Sequence, residues 1–158
     1  MDIAHALSLQ ARWTGHTKRF LSVAQHSVGV SRHCDPKDAL WGLLHDASEA
    51  YLSDLARPVK RDPRMAFYQE AESQLMQAVA ERFDLVLPIP ESVHIADNRM
   101  LMTERRDLLV PMEWSSDTTK MAGAVEPYED KIESWSPLRA ENEFLWRFQQ
   151  LSGGAHGR

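Results

Sequence analysis

The sequence predicts an all-α fold, and three observations carry the prediction. Apolar residues recur at helical spacing nearly throughout, and no stretch shows a convincing strand alternation. Prolines next to capping residues also punctuate the chain where helices would begin. Asp2 caps a first helix with Ile3, Leu7 and Ala11 on one stripe. A second helix covers about residues 20–32, with Phe20, Val23, Ala24, Ser27 and Val30 facing inward. It ends near Cys34, where Asp35 as N-cap and Pro36 as first residue start a third helix that runs to Leu52. Residues 53–62, SDLARPVKRD, read as a loop around Pro58. Pro63 opens a long helix that buries Phe67, Ala71, Leu75, Ala78 and Phe83. Pro88 and Pro90 break the chain, and a fifth helix follows from Glu91 to Leu109. Residues 111–136, with Pro111, Gly123 and Pro127, read as an ordered but irregular excursion in which Met112-Glu113-Trp114 is exposed or subunit-facing. Ser136-Pro137 starts a last helix with Leu138, Leu145, Phe148 and Leu151 available to pack, and Trp41, Trp135 and Trp146 read as core or interface. The expectation is a compact bundle of about six helices, a single domain over residues 1–151 with a frayed tail at 152–158.

Composition narrows the function classes. Charged residues make up 26% of the 158 and apolar ones 43%, an ordinary globular balance with enough chain for one core. A net charge of −5 gives a nucleic-acid-coating role no electrostatic support, although local cations and a metal can still hold a small anion. Cys34 is the only cysteine, which excludes an intrachain disulfide framework and a CxxC zinc site and fits a reducing cytoplasm. No apolar run approaches a membrane span, and MDIAHALSLQARW, with an early acid and no basic stretch, does not read as a signal peptide.

Against that background the stretch LWGLLHDASEAYLSD at residues 40–54 is anomalous, because His45, Asp46 and Glu49 interrupt a helix patterned for burial. His26 shares a stripe with Val23 and Val30, and Asp97 shares one with Leu101 and Leu108. An unpartnered carboxylate on such a stripe costs several kcal/mol, so each needs a partner. A shared cation satisfies His26, His45, Asp46 and Asp97 together, and two imidazoles with two carboxylates suit one divalent transition metal: Mn, Co, Fe, Ni or Zn. Taken singly, each has a plainer explanation. A buried histidine is more often a hydrogen-bonded core residue than a ligand, and Asp97 could pair with Arg99 or Arg105.

The arrangement His26, His45-Asp46, Asp97 resembles the H…HD…D signature of the HD-domain phosphohydrolase superfamily. Three stretches are similar to bacterial 5′-deoxynucleotidases and phage dATP triphosphohydrolases: Arg12-Trp13, VAQHS at 23–27 and HDASEAYLSDLARPVK at 45–60. The resemblance spans residues 12–110 in order. It implies an HD-domain bundle with His26, His45, Asp46 and Asp97 as metal ligands, and hydrolysis of a deoxyribonucleotide by attack of a metal-activated water on phosphorus. Glu49 corresponds to the acid that positions or deprotonates that water, and Asp54 to a proton donor for the leaving oxygen. Arg12 corresponds to a phosphate-binding arginine and Trp13 to an aromatic that lines the sugar pocket and disfavours a 2′-hydroxyl, while Lys60 also reaches toward phosphate. General chemistry agrees: Glu49 follows His45 by about one turn, and a guanidinium holds phosphate through paired donors as a lysine cannot. Two features depart from the pattern. His26 and His45 are unusually close in sequence, and Gln25 stands where relatives often carry Glu.

Within this reading, a monophosphate substrate competes with a triphosphate, and cations such as Lys60, Arg61 or Arg64 would favour the latter. The rivals are hydrolysis of a cyclic nucleotide or guanosine tetraphosphate, and a non-catalytic nucleotide-binding domain. The absence of extra histidines beyond His94 disfavours a two-metal site, and an intact set with Glu49 and Asp54 disfavours the degenerate domain. The partner expected is a small-molecule nucleotide, with neither nucleic acid nor membrane, and relatives of this type are commonly homo-oligomers.

Overall fold

The local chemistry of the sequence sets most helix ends. In a computed structural model, which describes residues 2–111 and 125–153, the chain is all-α and no strand occurs among the described residues. Helix α1 spans Asp2–Leu9, α2 Val23–His33, α3 Ala39–Leu44, α4 Glu49–Leu52, α5 Arg57–Lys60, α6 Ala66–Arg82, α7 Glu91–Leu108 and α8 Pro137–Ser152. Ser22 caps α2 by accepting from the Gln25 amide, and Ser136 caps α8 by accepting from the Arg139 amide with Pro137 just inside. Pro36 and Pro63 each open a short 3₁₀ turn ahead of α3 and α6. The expected features at Met112-Glu113-Trp114, Gly123 and the tail beyond residue 153 lie outside the described residues.

Helix α2 is the hub, packed against α1, α3, α7 and α8. Its Val23, Ala24 and Val28 join Leu7, Leu43, Leu44, Ala47, Ala140 and Phe144 in one core cluster, where each fully buried Leu or Val contributes about 1.5–3 kcal/mol. Gly42 lets α3 close on α2, since a Cβ there would sit 2.9 Å from the Ser31 Cα and 2.8 Å from the Cys34 sulfur. That close approach brings the His26 and His45 rings to 5.3 Å between centroids.

The structure corrects the sequence expectation in four places. The helix expected from Pro36 to Leu52 is interrupted: residues 45–48 are turns, with Ala47 bonding back to Leu44 and Glu49 to Asp46 in an i→i+3 pattern. The His45 side chain accounts for part of the break, because its Nδ1 bonds the Gly42 carbonyl. Second, the residues expected to be a loop around Pro58 contain the short helix α5. Third, α6 buries Met76, Val79 and Ala80, whereas Phe67 is 84% exposed. The first half of α6 walls a cleft through Gln69, Glu72 and Ser73 and has no core beneath Phe67. Fourth, Leu138 and Trp146 of α8 face outward, and Phe144 takes the core position.

Candidate metal centre

His26 comes from the middle of α2, and His45 and Asp46 come from the turns that follow α3. One ligand atom from each lies within 4.8 Å of the others, so these three residues could hold a metal ion. His45 Nε2 lies 3.2 Å and His26 Nε2 3.7 Å from Asp46 Oδ2. Each imidazole is oriented from behind. His26 Nδ1 donates to Glu104 Oε1 at 2.6 Å, and His45 Nδ1 donates to the Gly42 carbonyl at 2.8 Å. A carboxylate and a carbonyl only accept, so both protons sit on Nδ1 and both Nε2 atoms point inward. Those two Nε2 atoms are buried without a hydrogen-bond partner, and so is Glu49 Oε2. Buried polar atoms are rarely left so, and two imidazole lone pairs beside carboxylates match the donor set of a divalent metal.

The remaining predicted residues surround this centre. Asp97 stands at its edge on α7, with Oδ1 3.2 Å from His26 Nε2 and Oδ2 engaged by Arg57, which also donates to Asn98 at 2.8 Å. Arg12 is buried, its Nη1 3.5 Å from Asp46 Oδ2 and its Nη2 3.3 Å from Glu104 Oε2. Trp13 Nε1 donates to the same Glu104 oxygen at 2.9 Å. Trp13, Thr14 and Gly15 have φ of 57°, 52° and 79° in succession, so the turn that presents Trp13 holds two non-glycine residues in the left-handed region. The backbone bond from Arg12 to the Leu21 carbonyl and the bridge of Ala11 with Ser22 pin this turn to the start of α2. Lys60 is less free than expected of a phosphate ligand: its Nζ donates to Glu49 Oε1 at 3.4 Å and to Glu72 Oε1 at 2.6 Å.

Arg12, Trp13, Lys60 and Asp97 line one cleft of about 710 Å³ with His45, Asp46 and Glu49, together with Asp54, Arg61 and His94, whereas His26 is not among its walls. The volume is of the size that takes a small-molecule ligand. His94 stands outside the metal-competent group, and Arg64 pairs with Asp62 on the exterior rather than lining the cleft. Electrostatics reflect the crowding. Burial pulls the His45 imidazolium down, but Asp46 and Asp97 outweigh it and raise the group to about 9. For Asp46, burial would raise the carboxyl, yet His45, His26 and Arg12 hold it well below the usual range. Asp97 is held low in the same way by His26, His45 and Arg57. Glu49 goes the other way: burial, then the negative charges of Asp46 and Asp54, push it up to about 9.

Sequence reasoning missed three supporting residues. Arg57 holds Asp97 across 40 residues of chain, and Gln10 links two backbone groups of the acidic segment, donating to the Glu49 carbonyl at 2.8 Å and accepting from the Asp54 amide at 3.2 Å. Glu104 pairs with Arg12 and also accepts from His26. Its place seven residues after Asp97, on the same side of α7, is the signal that could have found it. Gln25 acts away from the cleft, donating to the Glu133 carbonyl at 2.6 Å and accepting from the Trp135 amide at 3.0 Å, so it ties residues 133–135 to α2.

Comparison with known proteins places the chain among relatives. It is 34% identical over 151 residues to the uncharacterized protein YfdR of Escherichia coli (strain K12), covering 96% of this chain and 83% of that one. The chain belongs to the YfdR family. Over 100 residues it is also 41% identical to an uncharacterized protein of Rhodobacter capsulatus, a match that spans 56% of this chain and half of the relative. No family model matches the sequence. Among the described residues, no helix is long and apolar enough to cross a membrane.

Proposed function

We propose that this YfdR-family protein is a metal-dependent phosphohydrolase that acts on deoxyribonucleotides. The observation that carries the reading is the convergence of the buried Nε2 atoms of His26 and His45 on Asp46, neither making a hydrogen bond, with Glu49 in the cleft that His45 and Asp46 line. His26, His45 and Asp46 would hold one divalent ion of the Co, Mn, Zn, Fe or Ni type, with Asp97 completing the set. Such an ion supplies Lewis-acid polarisation of a phosphoryl oxygen and acidifies water.

The chain's own residues do the rest. Arg12, with Nη1 near Asp46, holds phosphate oxygens and fixes the phosphorus in place, and positioning carries much of phosphoryl transfer. Glu49, buried and basic once ionised, takes the proton of the attacking water as its oxygen bonds to phosphorus. The ester bond to the leaving oxygen breaks, and Asp54, lining the same cleft, supplies that oxygen's proton. Lys60 holds one oxygen of Glu49 and leaves the other without a hydrogen-bond partner, which makes it a partner of the base as well as a cation for phosphate. Trp13 stands where a sugar ring would pack. The test is a panel of mono-, di- and triphosphates, ribo and deoxy, with each metal, resolved by chromatography. Metal-dependent release of phosphate or polyphosphate from deoxynucleotides supports the proposal, and a panel without hydrolysis rejects it.

A further inference from the structure

The most completely buried carboxylate near the cleft belongs to Glu104 in α7, which lies outside both the metal-competent group and the walls of the 710 Å³ cleft. Its two oxygens serve different parts of the site. Oε1 accepts from His26 Nδ1 at 2.6 Å. Oε2 accepts from Trp13 Nε1 at 2.9 Å and from Arg12 Nη2 and Nε at 3.3 and 3.4 Å. One side chain therefore fixes the proton of a candidate metal ligand and also orients the two residues that would meet the phosphate and the sugar.

We propose that Glu104 is a positioning residue that serves both metal binding at His26 and ligand binding at Arg12 and Trp13. The half of the claim that concerns Arg12 and Trp13 rests on the phosphohydrolase reading; the half that concerns His26 does not. The physical basis is the acceptor count. Four N–H donors converge on one carboxylate, and an amide side chain offers one acceptor oxygen and an NH₂ group that must face a donor. Glu104→Gln must therefore give up one side outright, with the lost bond buried, and on the other side it loses the charge that strengthens the bonds. Removing an outer partner of a ligating histidine typically weakens metal binding about 10- to 100-fold.

The experiment measures zinc affinity by competition with a chelating dye, affinity of the zinc-loaded protein for inorganic phosphate, and the His26 Nδ1–H resonance of ¹⁵N-histidine-labelled, zinc-loaded protein. In E104Q we expect zinc binding about 10- to 100-fold weaker, phosphate binding weaker as well, and the exchange-protected resonance broadened or lost. Arg12→Lys should weaken phosphate while leaving zinc affinity and the resonance as in the wild type. Should E104Q fail to fold, Glu104→Asp, which keeps the charge but shortens the reach by one methylene, is judged by the same measurements. A folded variant that binds zinc as the wild type does, or keeps the resonance unchanged, overturns the proposal. If the wild type hydrolyses no nucleotide, the phosphohydrolase reading fails, and zinc affinity and the resonance still decide whether Glu104 positions His26.

Discussion

Raising the pH of metal-free protein should destabilise it, and metal should remove most of that loss. His45 has its second proton on Nε2, facing Asp46 3.2 Å away, and titrates at about 9 instead of 6.5. Between those two values the folded state keeps a proton that the unfolded chain has released, so the unfolding free energy falls as pH rises. The His45 contribution is complete below pH 6.5 and lost by about 9. Glu49, raised from 4.5 to about 9, has the same sign: burying its ionised form costs stability progressively from pH 4.5 upward. Counting His45 alone, one proton amounts to ~1.4 kcal/mol per pH unit, or about 3 kcal/mol across the window. In a chain of this length that is about 6–12 °C in Tm. A metal takes the same Nε2 lone pairs, so it competes with the proton and binds more tightly as pH rises. Thermal melts by circular dichroism from pH 5.5 to 9, with chelator and with cobalt, should therefore diverge, the chelated curve falling and the cobalt curve holding. A chelated Tm that is flat or rising from pH 6.5 to 9, or two parallel curves, would refute this account of the centre.

The other predictions concern single residues. Glu49→Gln should keep metal affinity and lower turnover about 10²- to 10⁴-fold, measured as kcat on the best substrate of the panel. Arg12→Lys loses the planar donor pair beside Glu104, and kcat/KM should fall about 10- to 100-fold through KM more than kcat. Gly42→Ala places a Cβ 2.9 Å from the Ser31 Cα and should cost about 1–3 kcal/mol in denaturant unfolding, with weaker metal binding as α3 moves off α2.

The metal-competent trio was legible in the sequence because each member broke a pattern. A histidine on the apolar stripe of α2 and an adjacent His-Asp pair inside LLHDAS are costly unless they meet. The all-α class followed from periodicity and from caps such as Ser136-Pro137, which α8 uses as expected. What the pattern hid was the break at residues 45–48, because apolar spacing continues from Leu40 through Leu52 whether or not the backbone does. The burial of α6 was misread for a related reason. Period alone gives a stripe, and which end of it meets a core depends on the cleft wall that α6 also forms. Arg57 and Gln10 escaped notice since their partners lie about 40 residues away, where no local spacing rule reaches.

X-ray absorption at the cobalt edge of cobalt-loaded protein reads the ligand set at His26, His45 and Asp46. One cobalt per chain should bind with two imidazole nitrogens and otherwise oxygen ligands, and Asp46→Ala should lose cobalt binding. No bound cobalt, fewer than two imidazoles, or a sulfur ligand would contradict this ligand set.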